Sequence, residues 1–277
     1  MEVPVRYAII GCGNVGMELA RRWTGGGHTV VGTTTTPERI PELRGVCTTV
    51  VVARGSNREA VARAVDGADA VVLTVSPRLT RAFDAASRVA EYADTLVASA
   101  RVAVDLHERV VFAGSGSVYG AASGIEVDES TPATDDPDAS PRNFLAAEQV
   151  VLSARRGAVV RIPDVYGHPR DMDYPARVRF AHERLGGSVP FAADALLYRI
   201  DYRDAAAALD HVVARGLTGV YNAYPDAVVP PTNEQVFAEI CAATGLPALT
   251  YRGEIKAPEV PISSARLRAT GFRFAHE

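Results

Sequence analysis

Short, continuously apolar runs alternate along this chain with stretches whose apolar residues recur at helical spacing. Residues 5–10, VRYAII, form a run of strand length that ends in GCGNVG at 11–16. Val15, Leu19 and Trp23 then repeat every four residues and lay one stripe along a helix, which Gly25, Gly26 and Gly27 stop. His28–Thr33 reads as a second strand. The alternation continues with strands over about 46–52, 69–75, 109–113 and 157–162 and helices over about 57–65, 78–103 and 143–155. Strands this uniformly apolar, each followed by a helix, predict a parallel sheet buried on both faces.

After Ile162 the pattern loosens. PDVYGHPRDMDYP (163–175) carries loop chemistry, a helix is expected over Ala176–Leu185 and another over 201–216, and GVYNAY (219–224) is a further strand candidate. Thr232 and Gln235 have capping-box spacing for a helix ending near Gly245, and Pro230 and Pro231 keep the preceding chain extended.

Composition narrows the class of partner. A chain of 277 residues buries a core large enough to need no disulfide or metal staple. Its 33 acids against 29 bases give a net charge of −4 with no block of like charge, which excludes a nucleic-acid or anionic-membrane footprint and leaves a small molecule as the expected partner. MEVPVRYAIIGCG has no leader pattern and no window is apolar enough to span a bilayer, so a cytoplasmic protein is expected. Cys12, Cys47 and Cys241 are dispersed and odd in number, so they are expected to be reduced and structural, with no metal site. The acidic stretch EVDESTPATDDPDASP (126–141) lacks a ligand-loop spacing and reads as a solvated loop in preference to a metal site. Lys256 is the only lysine, so 28 of the 29 basic residues are arginine.

Gly11, Gly13 and Gly16 make a GxGxxG pattern between the first strand and the first helix, the context in which it binds a dinucleotide. Gly11 allows the turn, Gly13 admits a pyrophosphate against the backbone, and Gly16 lets the helix pack on the strand, with the amides around Asn14 and Val15 facing the phosphates. A glycine-rich turn without a ligand is the plain alternative. The second strand ends in VGTTTTPER (31–39), with no carboxylate at its tip for a ribose 2′-hydroxyl. Thr33, Thr34 and Thr35 with Arg39 suit a 2′-phosphate, so NADP is favoured and NAD stays open; a solvated Arg39 is the equal alternative. Thr74, Val75 and Ser76, at the end of the 69–75 strand, complete the expected dinucleotide wall.

GCGNVG (11–16), DGADAVVLTVSP (66–77), VVFAGSGSVYG (110–120), VDESTP (127–132), AAEQVVL (146–152), VVRIPDVYG (159–167), YRIDYRDAAAAL (198–209), GVYNAY (219–224) and ISSARLRATGF (262–272), in this order, resemble the extended short-chain dehydrogenase/reductases of the NAD-dependent epimerase/dehydratase type. The resemblance implies a doubly wound Rossmann sheet with a small C-terminal substrate lobe. The division expected is residues 1–165 as the dinucleotide-binding domain, with 199–224 contributing back to it, and 166–277 mainly as the substrate lobe. A homodimer is open.

Such proteins carry a catalytic serine and a Tyr–Lys pair spaced YxxxK, in which lysine lowers the tyrosine pKa for proton transfer. Ser115, four residues before Tyr119, matches the serine. Anchoring on Glu148 and Gln149 puts Ser140 in the tyrosine position and Phe144 in the lysine position. The sole lysine has Arg252 four residues before it, so no YxxxK exists in the chain. At the adenine end, VVARGSN (51–57) offers Arg54 where the family often has an acid.

A replacement acid is sought among Tyr119, Tyr166 and His168. Tyr119 is weighed as catalytic or structural, and Tyr166 and His168 as catalytic or lining the substrate cleft. Ser117, Arg142, Asn143, His168 and Arg199 are candidates for substrate contact, against helix capping for Arg142 and Asn143 and a surface ion pair for Arg199. Patterns for zincins, GxSxG hydrolases and P-loops are absent. Three functions stand: an NAD(P)-dependent oxidoreductase or epimerase on a hydroxyl- or keto-bearing metabolite, in the manner of secondary metabolism; a non-redox dehydratase, cyclase or isomerase; and a cofactor-binding sensor without turnover.

Overall fold

The computed structural model describes residues 4–77, 85–136, 138–225 and 229–276. In chain order the elements are β1 (Arg6–Ile10), α1 (Asn14–Gly25), β2 (Thr29–Thr34), the single turn α2 (Ile40–Leu43), β3 (Thr49–Val52), α3 (Arg58–Val65), β4 (Ala70–Leu73) and α4 (Ala85–Tyr92). A π-helical stretch, Ala93–Ala98, joins α4 to α5 (Ser99–Leu106). Then come β5 (Val110–Ser115), α6 (Ala139–Leu152), β6 (Ala158–Ile162), β7 (Asp164–Tyr166), α7 (Tyr174–Leu185), β8 (Ser188–Phe191), β9 (Arg199–Asp201), α8 (Tyr202–Ala214), β10 (Gly219–Asn222), α9 (Asn233–Thr244), β11 (Thr250–Ile255) and α10 (Ala265–Ala269).

The seven strands expected from apolar runs are the seven strands of one sheet, in order β10-β6-β5-β4-β1-β2-β3 and parallel at every pairing. Alternate side chains enter opposite cores, as strand geometry requires. Tyr7, Ile9 and Val111 face a cluster closed by Leu19 and Trp23 of α1 and by the α8 stripe of Ala205, Leu209 and Val212. Ala8, Ile10, Val110 and Phe112 face a second cluster closed by Val61 of α3, Leu96, Ala100 and Val151 of α6. Helices thus cover both faces, which makes the sheet doubly wound. Leu267 and Phe272 join the α1–α8 core, so the end of the chain returns to the sheet.

The differences from expectation are local. β3 starts at Thr49 because the Val46 and Cys47 amides close the preceding turn on Leu43 O at 3.0 and 2.7 Å. α6 starts at Ala139, ahead of the expected residue 143, because Asp138 caps it by accepting from the Ser140 amide at 2.8 Å. The expected helix 78–103 runs on to Leu106 and contains the π stretch; residues 78–84 lie outside the described ones. The Thr232–Gln235 capping box is present, and Gly245 ends α9 in left-handed conformation.

A smaller lobe is built from α7, β8, α9 and β11, with Val178, Val189, Phe237 and Leu249 at its centre. It sits over the carboxyl ends of the strands on the side of β5 and β6, so that a cleft opens above the sheet. Cys12 and Cys47, distant in sequence, bring their sulfurs to 3.9 Å inside the core as free thiols. The adjoining Cys47 sulfur, and then burial, push the Cys12 thiol well above its ordinary pKa. No helix among the described residues is long and apolar enough to cross a membrane.

Candidate active site

β1 ends at Ile10 and the chain turns through Gly11, whose φ of +82° and whose 2.7 Å approach to Val75 Cγ1, were a Cβ present, both demand glycine. The turn is pinned by the Gly11 amide donating to Thr33 Oγ1 at 2.9 Å and the Thr74 hydroxyl donating to Gly11 O at 2.8 Å. Gly13 caps α1 and is open: the nearest atom to an added Cβ is Gly11 O at 3.8 Å. At Gly16 a Cβ would fall 2.7 Å from Thr74 Oγ1 and 3.1 Å from Ile9 Cγ2, so glycine there sets the closeness of helix and strand. α1 has no acidic residue in its own first turn, so no carboxylate of the helix itself opposes an anion at its positive end.

Two cavities meet at this loop. The smaller, about 300 Å³, is lined by Gly11, Gly13, Thr33, Thr34, Thr35, Arg39, Arg54 and Thr74–Ser76. The Thr33 and Thr34 hydroxyl oxygens already accept from the Gly11 and Thr36 amides, and Thr35 is exposed. Arg39 lies loosely against Glu42 at 3.4 Å, whereas Arg54 is paired with Asp94 and, at 3.8 Å, with Glu91. The larger cavity, about 800 Å³, begins at Gly13, Asn14 and Val15, passes Thr74, Val75 and Ser76, reaches Ser115 and Ser117, and ends in the small lobe. Asn14 is fixed by donating to Asp171 and accepting from Arg170, both at 2.6 Å, so the 168–171 loop lies over the start of α1.

Ser115 ends β5, and its Oγ accepts from the Ser117 amide at 3.1 Å, leaving its own proton free to donate. The Ser117 Oγ is buried with no protein partner. Gly116 between them lies so close to Tyr224 that any side chain would strike its hydroxyl. Phe144, in the position the resemblance assigns to lysine, lines the cavity and packs on Phe112 and Tyr92 with centroids 6.1 and 6.4 Å away.

The other sequence candidates lie elsewhere. Tyr119 is buried outside the large cavity; its hydroxyl donates to Asn222 at 2.7 Å and accepts from Arg161 at 2.8 Å. Arg161 in turn clamps Glu148, 1% exposed, at 2.8 Å. Burial opposes charge on both members of that pair; the attraction outweighs it for the Arg161 guanidinium and does not for the Glu148 carboxyl, whose pKa is raised. Tyr166 is half-buried beneath the Arg199 guanidinium, 5.4 Å from its ring centroid, and the exposed Arg199 also lies 6.0 Å from Tyr174. His168 packs edge-on against Tyr202 and accepts from the Arg170 amide at 3.1 Å, with burial and then Arg170 lowering its pKa. Arg142 is exposed, and Asn143 is buried and spends its amide on Ala139 O at 2.7 Å.

The sequence reading missed a cluster that does line the cavity. The Tyr174 hydroxyl donates to Asp164 Oδ2 at 2.8 Å and Arg177 pairs with the same oxygen at 2.6 Å. Burial and the Asp164 charge push the Tyr174 phenol far above its ordinary pKa. Tyr198, which donates to Val260 O, and Tyr224 also line the cavity; burial pushes Tyr198 up to about 12 and Tyr224 well above its usual value. All three phenols are neutral near pH 7.

Residues 8–224 match the NAD dependent epimerase/dehydratase family. The chain belongs to that family, whose members are nicotinamide-dinucleotide enzymes of more than one reaction type. Solved structures of the same fold include UDP-glucose 4-epimerase from Thermotoga maritima with UDP-glucose, 14% identical over 98% of this chain and 94% of that one, TM-score 0.77. They also include a double mutant of the dTDP-glucose 4,6-dehydratase DesIV from Streptomyces venezuelae with NAD and DAU, 17% identical over 98% and 92%, TM-score 0.75. The enzyme WbmG of Bordetella bronchiseptica with NAD is 19% identical over 99% and 90%, TM-score 0.73. No curated protein matches the sequence.

Proposed function

We propose that the protein is an NADP-preferring oxidoreductase or epimerase acting on a small hydroxyl- or keto-bearing molecule. The observation that carries this reading is the single cavity running from the glycine loop, past Thr74–Ser76, to Ser115 and Ser117. The residues suit a dinucleotide: Gly13 is open where a pyrophosphate needs room, the first turn of α1 carries no acid of its own, and the adenosine-side cavity holds threonines and Arg39. Gly11, Gly13, Asn14 and Val15 would hold the pyrophosphate, Thr33–Thr35 and Arg39 the 2′-phosphate, and Thr74–Ser76 the middle of the molecule. When bound, the nicotinamide supplies hydride exchange at a carbon.

The chain's own part is binding, orientation and polarisation. Ser115 donates its free proton to the substrate oxygen, and the partnerless Ser117 hydroxyl is a second donor to the same wall. Tyr174, held neutral by burial and by Asp164, orients the substrate at the far side. Tyr119, with its hydroxyl committed to Asn222 and Arg161, supports the floor of the site.

Calorimetric titration tests the assignment. NADPH is expected to bind about ten-fold tighter than NADH, and Arg39→Ala to abolish that difference. Absence of binding by either would remove the reading. A second reading, a non-redox dehydratase or isomerase, is favoured by Phe144, which fills the relay position with a group that moves no proton. Turnover by protein stripped of dinucleotide would select it.

A further inference from the structure

Beyond Ser115 and Ser117 the large cavity enters the small lobe, and there its walls turn apolar. Met172, Phe180, Val189, Phe191, Leu196 and Phe237 line it. Of the nine large hydrophobic side chains exposed among the described residues, Met172, Phe180, Leu185 and Ile255 stand at this one cavity. A soluble surface rarely gathers exposed apolar groups without a ligand to cover them.

The charges are as informative. Among the described lining residues Arg177 is already neutralised by Asp164 at 2.6 Å, Asp171 is bonded to Asn14 at 2.6 Å, and Lys256 is exposed at the rim. Arg199 lies outside the lining, stacked over Tyr166 and Tyr174. A nucleoside diphosphate carries at least two negative charges and calls for several free cationic donors. The described lining offers only Arg177, already paired, and the exposed Lys256. Besides the Asp164–Arg177 pair, its polar side chains are mainly neutral: the hydroxyls of Ser117, Tyr174 and Tyr198 and the amide of Asn233, which donates to Ala192 O.

We infer that the substrate is an uncharged, mainly apolar ketone or alcohol, held by its carbon skeleton in the small lobe with one oxygen at the Ser115–Ser117 wall, and not a nucleotide-linked sugar. The substrate part of this inference rests on the oxidoreductase reading above; the preference of the cavity for an uncharged apolar ligand stands on the lining alone.

The experiment is calorimetry with acetonaphthone, carvone, decanone and UDP-glucose, each with and without saturating NADPH, and with NADPH alone. At least one of the three ketones is expected to bind about ten-fold or more tightly than UDP-glucose, with a negative heat-capacity change. Phe180→Glu, a change at a half-exposed helix position, is expected to weaken that ketone about ten-fold while NADPH affinity and the thermal melt hold. UDP-glucose binding as tightly as every ketone overturns the inference, as does failure of all three ketones in protein that binds NADPH. Ketone binding unaffected by Phe180→Glu overturns it too. Ketone binding by protein that ignores NADPH would uphold the apolar site and remove only the dinucleotide reading.

Discussion

Gly11 and Gly13 stand two residues apart in one loop and do different work, which substitution separates. At Gly13 the fold has room for a Cβ, and what a side chain there would fill is the cavity. Gly13→Val is therefore expected to weaken NADPH binding about 100-fold with the unfolding transition nearly unmoved, read by calorimetry and thermal melts. Gly11→Ala is the converse: its Cβ would fall 2.9 Å from Val75 Cα at a φ of +82°, and backbone cannot swing aside as a side chain can. A loss of about 1–3 kcal/mol in denaturant unfolding is expected. An intact melt for Gly11→Ala or full NADPH affinity for Gly13→Val would contradict the roles given to them. These glycines were legible in the sequence because their function is local to a few backbone bonds. The Asp164–Tyr174–Arg177 cluster was not, because Tyr174 comes to Asp164 from ten residues away through a stretch without periodicity. Tyr119 shows the opposite limit: its place four residues after Ser115 in sequence gives no sign that the 3₁₀ turn Gly116–Tyr119 carries it away from the large cavity and into the Arg161–Glu148 network.

At the scale of elements, the apolar runs gave the strands, whereas helix boundaries followed capping side chains. Asn57, Asp138, Asp173, Asp201 and Thr232 each accept from an amide in the first turn of the helix that follows. The short pairs β7–β9 and β8–β11 were not legible, since runs of three to six residues without alternation carry no period to read. Asp201 makes one cap testable by pH. It accepts from the Arg203 amide and from the guanidinium Nε and Nη2, each at 2.8 Å. Burial opposes its charge, but the hydrogen bonds from Arg203 outweigh burial and hold the carboxyl below the ordinary range. A carboxyl with a depressed folded pKa contributes its full stability above the unfolded value of about 3.9, and loses it as pH falls through the lower folded value. Asp201→Asn, which cannot ionise, is thus expected to melt below the wild type at pH 7, with the gap narrowing as pH falls below about 4. A gap that stays constant from neutral to acid would mean that Asp201 stabilises α8 by something other than its charge.

Over the whole molecule, the order β3-β2-β1-β4-β5-β6-β10 reverses direction of growth between β1 and β4, and the two chains leaving those strands diverge to opposite faces. The crevice so formed is where open parallel sheets take ligands, and it holds Gly11, Gly13 and Thr74–Ser76. The sheet carries a continuous core on each face, while among the described residues the small lobe has a lesser one, Val178, Ala181, Val189, Phe237, Cys241 and Leu249, with six partly buried side chains packed against it. So few buried contacts predict a lower free energy of opening for the small lobe than for the sheet. In native-state hydrogen exchange the α9 amides are therefore expected to exchange about ten-fold or more faster than those of β1 and β5. Saturating NADPH is expected to slow exchange around Gly13–Val15 and to leave α9 nearly unchanged, because the dinucleotide-side walls come from the sheet. Phe237 of α9 and Phe180 of α7 both line the apolar end, so protection of α9 is expected from an apolar ligand there and not from dinucleotide. Exchange of α9 at the rate of β1, or protection of α9 by NADPH alone, would show one cooperative unit and tie the small lobe to the dinucleotide.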